Sequence, residues 1–310
     1  MADQLMQYVG ISWLLWIGSG LLVHALVYWR QYLPSFTRDV YEYGKLRSES
    51  DWSWISPSVP KRWFTHFYVW GVVWNYSVFL YYTSHCLLHT RLPLLGPAIE
   101  TVIGNFVSSK CNYFSQAHLE VWLVLLLVCL QVSRRLFECL FVSVFSDSKM
   151  APVHYILGVY FYTALGPTAL LHLNSDSPLS TATTLAGRIK DSLHWYHIVA
   201  TLLFLWAYTH QYRCHVILAQ LRAAKNKPQY GLPTGDWFQY VSSPHFFAEM
   251  VMYFALSLCQ AVTNLMAPMW LVFLCTTCVL TVTAKQTHVW YRDKFEDYPN
   301  SRKIIIPFVY

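Results

Sequence analysis

The stretch GDWFQYVSSPHFFAE, residues 235–249, passes from a polar, aromatic loop directly into an apolar segment that carries a carboxylate. Ser243 and Pro244 are typical of a helix start, with serine at the N-cap and proline at the first helical position. His245 and Glu249 lie four residues apart and therefore share one face of the predicted helix. A carboxylate inside a membrane costs several kcal/mol unless it faces a polar cavity, so Glu249 is a candidate functional residue. The alternative is a structural hydrogen bond to a neighbouring helix.

The composition is typical of a membrane protein. Of 310 residues, 55% are apolar and only 12% are charged, and the mean hydropathy is +0.32. A soluble enzyme carries about twice this share of charge. We predict an all-α polytopic membrane protein with a single domain over residues 1–310. Stretches long enough to cross roughly 30 Å of hydrocarbon predict seven helices, near residues 9–29, 64–83, 116–133, 152–173, 193–212, 244–262 and 266–284.

The distribution of basic residues predicts the orientation in the membrane. Most of the 22 Lys and Arg residues follow the first, third, fifth and seventh predicted helices, and the exceptions are Arg91, Lys110, Arg188 and Lys190. The positive-inside rule then makes the N-terminus lumenal and the C-terminus cytosolic. This orientation gives an anchor helix at 9–29, a cytosolic loop at 211–243 and a cytosolic tail at 285–310. The short apolar stretch 92–107 is broken by Pro and Gly, so we expect a re-entrant or interfacial piece.

Histidine and cysteine patterns give little support to metal or redox chemistry. His85 and His89 have a spacing that places two imidazoles on one helix face, but they lie on the predicted lumenal side and no His-x-x-His-His sequence is present. Cys275 and Cys278 lie within the last predicted span, where small residues favour helix packing. We predict no metal site. The eight cysteines are scattered, and we expect no disulfide framework.

The cytosolic loop and the tail contain candidates for binding an anionic cofactor. A Rossmann site is excluded, because the only Gly-x-Gly sequence lies inside the first predicted span. Arginine presents forked donors that suit phosphate, and the candidates are Arg222, Arg292 and Arg302. The helix start at Pro244 adds N–H groups that favour an anion. Each arginine taken singly is also consistent with an ordinary charge at the membrane boundary.

Five segments carry a resemblance to a known family. They have the sequences VPKRWFTHFY at 59–68, RRLFECLFVSVFS at 134–146, HQYRCHVIL at 210–218, GDWFQYVSSPHFFAE at 235–249 and HVWYRDKFEDYPNSRKIIIPF at 288–308. By these segments the chain resembles the steroid 5α-reductase family of NADPH-dependent membrane reductases, and most closely its polyprenol reductase branch. The resemblance extends from about residue 59 to the C-terminus.

The resemblance implies seven helices around a cavity that admits NADPH from the cytosol and a lipid substrate from the bilayer. It implies three catalytic residues, namely Glu249, His288 and Tyr291. It also implies a cofactor-binding set, which comprises Arg135, Gln211, His215, Arg222, Asp236, Tyr240, His245 and Arg302.

Three positions depart from the family pattern. His245 replaces an asparagine, although an imidazole can also donate a hydrogen bond. His215 replaces an aspartate of the steroid branch. Val132 replaces a tyrosine that contacts the substrate carbonyl in steroid and enoyl reductases, and its absence argues against a steroid enone.

Family chemistry adds hydride to a carbon–carbon double bond that is conjugated to a carbonyl. The expected substrate is therefore a long-chain polyprenal, reduced to dolichal in a multi-pass protein of the endoplasmic reticulum that supplies dolichol for N-glycosylation. The implied partners are the bilayer and a dehydrogenase acting on polyprenol, with no nucleic acid. The alternatives are a steroid or enoyl-thioester reductase of the same family, a prenylcysteine-type membrane methyltransferase, and a lipid receptor or transporter without catalysis.

Overall fold

The computed structural model describes residues 59–90, 114–145, 149–150, 152–174, 177–223, 231–261 and 268–310, together with Val9, 11–14, Gly18, Ile99, Val107, Lys110 and Cys111. The described part is mostly helical. Its α-helices are α1 (Phe64–Tyr82), α2 (Gln116–Phe137), α3 (Pro152–Leu170), α4 (Leu185–Ser192), α5 (Trp195–Ala223), α6 (Pro244–Ala261) and α7 (Pro268–Lys294). Two short strands, β1 (Val59–Pro60) and β2 (Lys149–Met150), pair antiparallel.

Six of the seven predicted spans coincide with helices, namely α1, α2, α3, α5, α6 and α7. The predicted anchor at 9–29 lies largely outside the described residues, although Val9, 11–14 and Gly18 are helical. Two of the described helical stretches, Pro152–Leu173 and Pro268–Lys294, are long and apolar enough to count as candidate membrane spans. The count of seven membrane spans stays a prediction.

Two predicted loop boundaries are wrong. Helix α5 continues to Ala223 and α7 continues to Lys294, so the connecting loop and the tail are shorter than the predicted 211–243 and 285–310. Apolar composition marks only the part of a helix that suits hydrocarbon, whereas helical hydrogen bonding continues through polar residues until a breaker interrupts it. Several predicted site residues consequently lie on helices: Gln211, His215 and Arg222 on α5, and His288 and Tyr291 on α7.

Helices α1 and α3 pack closely because glycine lies at their contact. A Cβ atom on Gly158 would approach the Phe67 ring to 2.7 Å, and one on Gly166 would lie 2.9 Å from Asn75 Oδ1. Asn75 is fully buried, and its Nδ2 donates to the carbonyl of Tyr162 at 2.9 Å. Small residues and interhelical hydrogen bonds of this kind are typical of helix contacts in membranes. Helix α1 also packs on α2, while α6 packs on α5, α7 and α2.

The structure joins one pair of cysteines that the sequence did not predict. Cys86 and Cys111 form a disulfide, with their Cα atoms 4.9 Å apart, and the other six cysteines are free. The prediction had counted cysteines along the chain, but 25 residues separate these two and only the fold brings them together. The predicted re-entrant piece at 92–107 lies outside the described residues except for Ile99 and Val107, which are buried.

The segment before α6 is held by the C-terminal tail. Val241 and Lys303 form a parallel bridge, in which Ser242 N–H donates to the Lys303 carbonyl at 2.9 Å and Lys303 N–H donates to the Tyr240 carbonyl at 2.8 Å. The segment before α6 and the C-terminal tail therefore meet at this bridge. The entrance to α6 is thereby fixed against the end of the chain.

Candidate active site

Helix α6 begins at Pro244, as the sequence predicted. The Ser243 carbonyl accepts the N–H groups of Phe246 and Phe247 at 3.1 and 3.3 Å. The Ser243 hydroxyl is fully buried and has no hydrogen-bond partner in the described part of the chain. The start of α6 therefore offers a buried hydroxyl donor at Ser243.

Glu249 is positioned from a neighbouring helix. Gln211 on α5 donates from Nε2 to Glu249 Oε2 at 3.1 Å and to the His245 carbonyl at 3.2 Å. The Gln211 carbonyl oxygen accepts from Gln131 Nε2 at 3.2 Å and from the Arg134 guanidinium, both on α2. Gln211 is fully buried and links three helices. Its amide is engaged inside the protein, so its predicted contact with the cofactor stays a prediction.

Two arginines and a glutamate form a buried charged group at the end of α2. Arg134 donates to Glu138 Oε1 at 2.7 Å and to Gln131 Oε1 at 2.7 Å, and only 6% of it is exposed. Arg135 binds the other oxygen of the same carboxylate, Glu138 Oε2. Arg134 is therefore not a solvent-exposed charge at the membrane boundary. Its charge is compensated inside the protein, where the cost of burying an unpaired ion is greatest.

His215 joins this charged group from α5. Its Nδ1 lies 2.7 Å from Glu138 Oε2 and 2.7 Å from Arg135 Nη1. A protonated Nδ1 donates to the carboxylate, whereas an unprotonated Nδ1 accepts from the guanidinium. The position of the proton on the imidazole therefore determines which of these two hydrogen bonds forms. The His215 ring lies 5.6 Å from the ring of His245, measured between centroids. His245 is half-buried on the first turn of α6.

A second polar group lies where α7 faces the tail. The Ser242 hydroxyl is 2.6 Å from His288 Nδ1 and 2.5 Å from the Tyr298 hydroxyl. The rings of Tyr291 and Tyr298 stack with an interplanar angle of 8°. Burial raises the pKa of Tyr298, so this phenol stays neutral and keeps its proton for hydrogen bonding.

Arg302 completes this second group from the tail. It is 5% exposed, lies over the Tyr298 ring, and donates from Nη1 to the Pro233 carbonyl at 3.0 Å. Its Nε is buried and has no hydrogen-bond partner among the residues described here. Burial also lowers the pKa of Arg302, because desolvation disfavours the charged form. The group therefore contains a positive charge with an unused donor.

Three predicted cofactor residues lie outside these two groups. Asp236 accepts from the Trp237 N–H at 2.8 Å and pairs with His210 Nδ1 at 3.0 Å, which shapes the turn after Gly235. Tyr240 is exposed and its ring lies 5.2 Å from that of Phe308. Arg222 donates to the Val144 carbonyl at 3.1 Å. Their predicted contacts with the cofactor are not tested by this geometry.

Sequence reasoning did not assign roles to four residues that hold the site together. Arg134 and Glu138 have the i, i+4 spacing of a helical ion pair, a signal that was present in the quoted segment. Ser242 was assigned only to the helix start. Tyr298 lies in the segment 288–308, but no local sequence pattern pointed to its role. Its contact is with Ser242, which is 56 residues away in the sequence. No group of three or more metal-binding side chains occurs within the described residues.

Comparison with known proteins identifies the family. Residues 179–310 match the family model for 3-oxo-5-alpha-steroid 4-dehydrogenase. The chain is 35% identical over 292 residues to a polyprenal reductase from Xenopus tropicalis, covering 90% of this chain and 89% of the relative. It is 34% identical to polyprenal reductase from Danio rerio, covering 88% and 87%, and 35% identical to that from Homo sapiens, covering 81% and 78%. The chain belongs to the steroid 5α-reductase family.

Membership of this family makes the protein an oxidoreductase that acts on a CH–CH group. Enzymes of the family typically use a nicotinamide cofactor, and the family together with the apolar helices indicates a membrane protein. The family match at 179–310 includes α4 to α7 and the tail, and so contains Glu249, the Ser242 group and Arg302.

The donors found here fit an anionic dinucleotide. The buried Ser243 hydroxyl and the buried Arg302 Nε both lack partners among the described residues, and each is a hydrogen-bond donor. The N-terminus of α6 lies directly after Ser243 and carries partial positive charge. Donors and positive charge in this arrangement suit phosphate and carboxamide groups.

Proposed function

We propose that this protein is an NADPH-dependent polyprenal reductase, which saturates the α-isoprene double bond of polyprenal to give dolichal. The supporting observation is the match to polyprenal reductases, which covers about nine-tenths of both chains in the case of the Xenopus tropicalis relative. The site geometry agrees with this proposal, because a carboxylate within the helix bundle lies next to a donor-rich helix N-terminus.

The aldehyde is a better substrate than the alcohol on chemical grounds. Hydride attacks an electron-poor carbon, and the double bond of polyprenol is an isolated allylic alkene. Oxidation of the alcohol to polyprenal conjugates the double bond to a carbonyl and makes the β-carbon electrophilic. We therefore place a polyprenol dehydrogenase before this enzyme and an enzyme that reduces dolichal to dolichol after it.

The residues that would hold the cofactor are the donors near the start of α6. Arg302 and Arg222 suit its phosphates, and the N-terminus of α6 with Ser243 suits a phosphate or the carboxamide. When bound, the reduced nicotinamide supplies the hydride. His288 and Tyr291 lie on one face of α7 near Ser242 and Tyr298, and we assign them to positioning and to proton supply.

Glu249 is assigned as an acid that donates a hydrogen bond to the substrate or to the cofactor amide. Gln211 fixes one carboxyl oxygen, Oε2, from α5. That contact leaves the other oxygen available to the reacting groups. A group held in this way can act without further reorganisation, which is the physical basis of preorganised catalysis.

The proposal also includes location and topology. We place the protein in the endoplasmic reticulum membrane with its N-terminus in the lumen and its C-terminus in the cytosol, so that α6 begins at the cytosolic side. Dolichal made there supports dolichol supply for N-glycosylation. A tag at each terminus, tested for protease protection in sealed microsomes, checks this orientation.

The experiment that tests the reaction is a comparison of substrates with purified enzyme and NADPH. Polyprenal, polyprenol, testosterone and an enoyl thioester are offered separately, and lipid products are identified by mass spectrometry. We expect reduction of polyprenal and none of polyprenol. Rapid reduction of pure polyprenol without NADP⁺ or a dehydrogenase contradicts the aldehyde proposal.

A further inference from the structure

Tyr253 is a buried phenol whose hydroxyl is not hydrogen-bonded to any described residue. It lies one turn beyond Glu249 on α6, is 2% exposed, and its hydroxyl has no partner in the part of the chain described. A buried hydroxyl loses its hydrogen bonds to water, so native proteins rarely leave one unsatisfied without a functional reason. The unused donor beside a candidate catalytic acid indicates a ligand group at this point.

Tyr68 on α1 is a second phenol with an unused proton. Its hydroxyl oxygen accepts from Arg135 Nη2 at 3.0 Å and from Arg135 Nε at 3.2 Å, and the guanidinium carbon lies 4.9 Å from the centre of the ring. Both bonds use the oxygen as acceptor, and no acceptor for its proton occurs among the described residues. A phenol that accepts from a cation is a stronger donor, because the charge polarises its O–H bond.

The two phenols converge on one region of the bundle. Tyr68 is bonded to Arg135 from α1, and Tyr253 lies one turn after Glu249 on α6. The ring of Tyr162 on α3 lies 5.2 Å from that of Tyr68, and the ring of Phe161 lies edge-on 5.7 Å from that of Tyr253. Helices α1, α2 and α6 thus place the two phenols beside Arg135 and Glu249, and Arg135 is in turn paired with Glu138.

We propose that Tyr68 and Tyr253 together bind the aldehyde oxygen of the substrate and stabilise the negative charge that develops on it. This proposal rests on the function proposed above. Reduction breaks the carbon–carbon π bond and forms a C–H bond at the β-carbon with the hydride of the reduced nicotinamide. Charge moves to the oxygen until the α-carbon takes a proton, and the phenols donate hydrogen bonds without being consumed. Two preorganised donors are the usual content of such an oxyanion site.

The pair also accounts for the departure at Val132. The resemblance implies a carbonyl-contacting tyrosine at this position of α2 in steroid and enoyl reductases, and Val132 is fully buried here. Tyr68 reaches the same region from α1 and is held by Arg135, which lies one turn after Val132. The hydrogen-bond donors to the substrate carbonyl then come from α1 and α6 instead of α2. This difference moves the carbonyl oxygen within the site and changes the shape of substrate that fits.

The test uses the full-length enzyme and the variants Tyr68→Phe, Tyr253→Phe and the double variant, with Tyr82→Phe as control. Tyr82 is also fully buried and on α1, but its hydroxyl donates to the His118 carbonyl at 3.0 Å. It lies about 20 Å from Tyr68 along the helix axis. Tyr253→Phe removes a hydroxyl that has no described partner, so this variant should fold as well as the wild type.

Two measurements are made on each variant. The first is kcat and KM for polyprenal, for which we expect each single variant to lower kcat by about 10²–10³-fold with a smaller change in KM. The second is the infrared carbonyl stretch of a bound short-chain prenyl aldehyde, isotope-labelled at the carbonyl carbon and measured without cofactor. We expect the stretch to lie at lower frequency in wild type than in detergent alone, and to move back in each variant but not in Tyr82→Phe.

The proposal is overturned if both single variants turn over as fast as Tyr82→Phe, or if the carbonyl stretch is the same in wild type and the double variant. Failure of the proposed function has a different signature, since wild type would then leave polyprenal unchanged while reducing a steroid enone or an enoyl thioester. The same variants measured with that carbonyl substrate would then decide whether the phenols bind its oxygen.

Discussion

Gln211 Nε2 donates to Glu249 Oε2 at 3.1 Å, across the contact between α5 and α6. The amide oxygen of the same side chain accepts from Arg134 on α2. A single buried glutamine thus links the candidate acid to the charged group around Glu138. The orientation of Glu249 depends on a residue that lies 38 positions away in the sequence.

Substitution Gln211→Met tests this relationship, because methionine fills similar space without hydrogen bonds. We expect the free energy of unfolding to fall by about 1–3 kcal/mol, since buried partners lose their hydrogen bonds. We also expect kcat to fall, because Glu249 loses its fixed orientation. Denaturant unfolding in detergent and turnover of polyprenal measure the two effects.

Gln260→Met is the matched control for this variant. Gln260 is fully buried on the same helix as Glu249 and donates to the Ala169 carbonyl at 3.1 Å. We expect similar destabilisation with kcat retained. Equal loss of kcat in both variants would mean that Gln211 acts only through stability.

Glu249→Gln tests the acid directly, because it keeps the shape and removes the carboxyl group. We expect turnover to fall by about 10²–10⁴-fold, the range typical of a lost acid or base. Membrane insertion and folding should be retained. Turnover equal to wild type would reject the assignment.

Glu120→Gln provides the comparison for a structural carboxylate. Glu120 is buried on α2, and hydrogen bonds to its carboxylate come from Gln116, His172, Tyr196 and His197. Since these partners stabilise its charge, we expect the variant to unfold at lower temperature while folded molecules keep their kcat. A large loss of kcat here would extend the active site to this end of α2.

Ser242→Ala tests the contact between α7 and the tail. The Ser242 hydroxyl holds both His288 Nδ1 and the Tyr298 hydroxyl, so its loss should free the histidine ring. A lost hydrogen bond of about 1 kcal/mol corresponds to roughly a fivefold weaker Kd for NADPH. Titration of NADPH fluorescence measures this affinity without turnover.

Thr283→Ala is the control for Ser242→Ala. Thr283 is a buried hydroxyl residue on α7 that donates to the Val279 carbonyl at 3.0 Å, within its own helix. Its removal should leave the Kd for NADPH unchanged. Unchanged affinity in Ser242→Ala as well would show that His288 and Tyr298 do not position the cofactor.

The Cys86–Cys111 disulfide predicts that these two cysteines are oxidised in the purified protein. It also predicts that they lie on the lumenal side of the membrane. Disulfides persist in oxidising compartments such as the lumen of the endoplasmic reticulum. After free thiols are blocked, reduction should expose two new thiols in the wild type and none in the double variant Cys86→Ser/Cys111→Ser. Loss of a bridge across 25 residues should lower stability by about 3 kcal/mol. Absence of new thiols in protein purified without reductant would contradict the bridge.

Local chemistry allowed much of the helical structure to be predicted. The apolar stretches gave the approximate positions of six helices, namely α1, α2, α3, α5, α6 and α7, because a long apolar run of this length is typical of a buried or membrane helix. Proline after two serines gave the start of α6 to the residue. The ends of α5 and α7 could not be found in this way, since polar and charged residues such as Arg213, His215 and Lys285 interrupt the apolar runs while the helices continue.

The candidate site was predicted residue by residue but not as a set of contacts. The sequence by itself determined that Glu249 shares a helix face with His245, because four residues make about one helical turn. Only the tertiary structure decided that Gln211 fixes Glu249, that Ser242 holds His288, and that Arg135 holds Tyr68. These contacts join residues tens of positions apart, and helical periodicity carries information over a few turns only. Packing of the helices against one another determines which distant side chains meet.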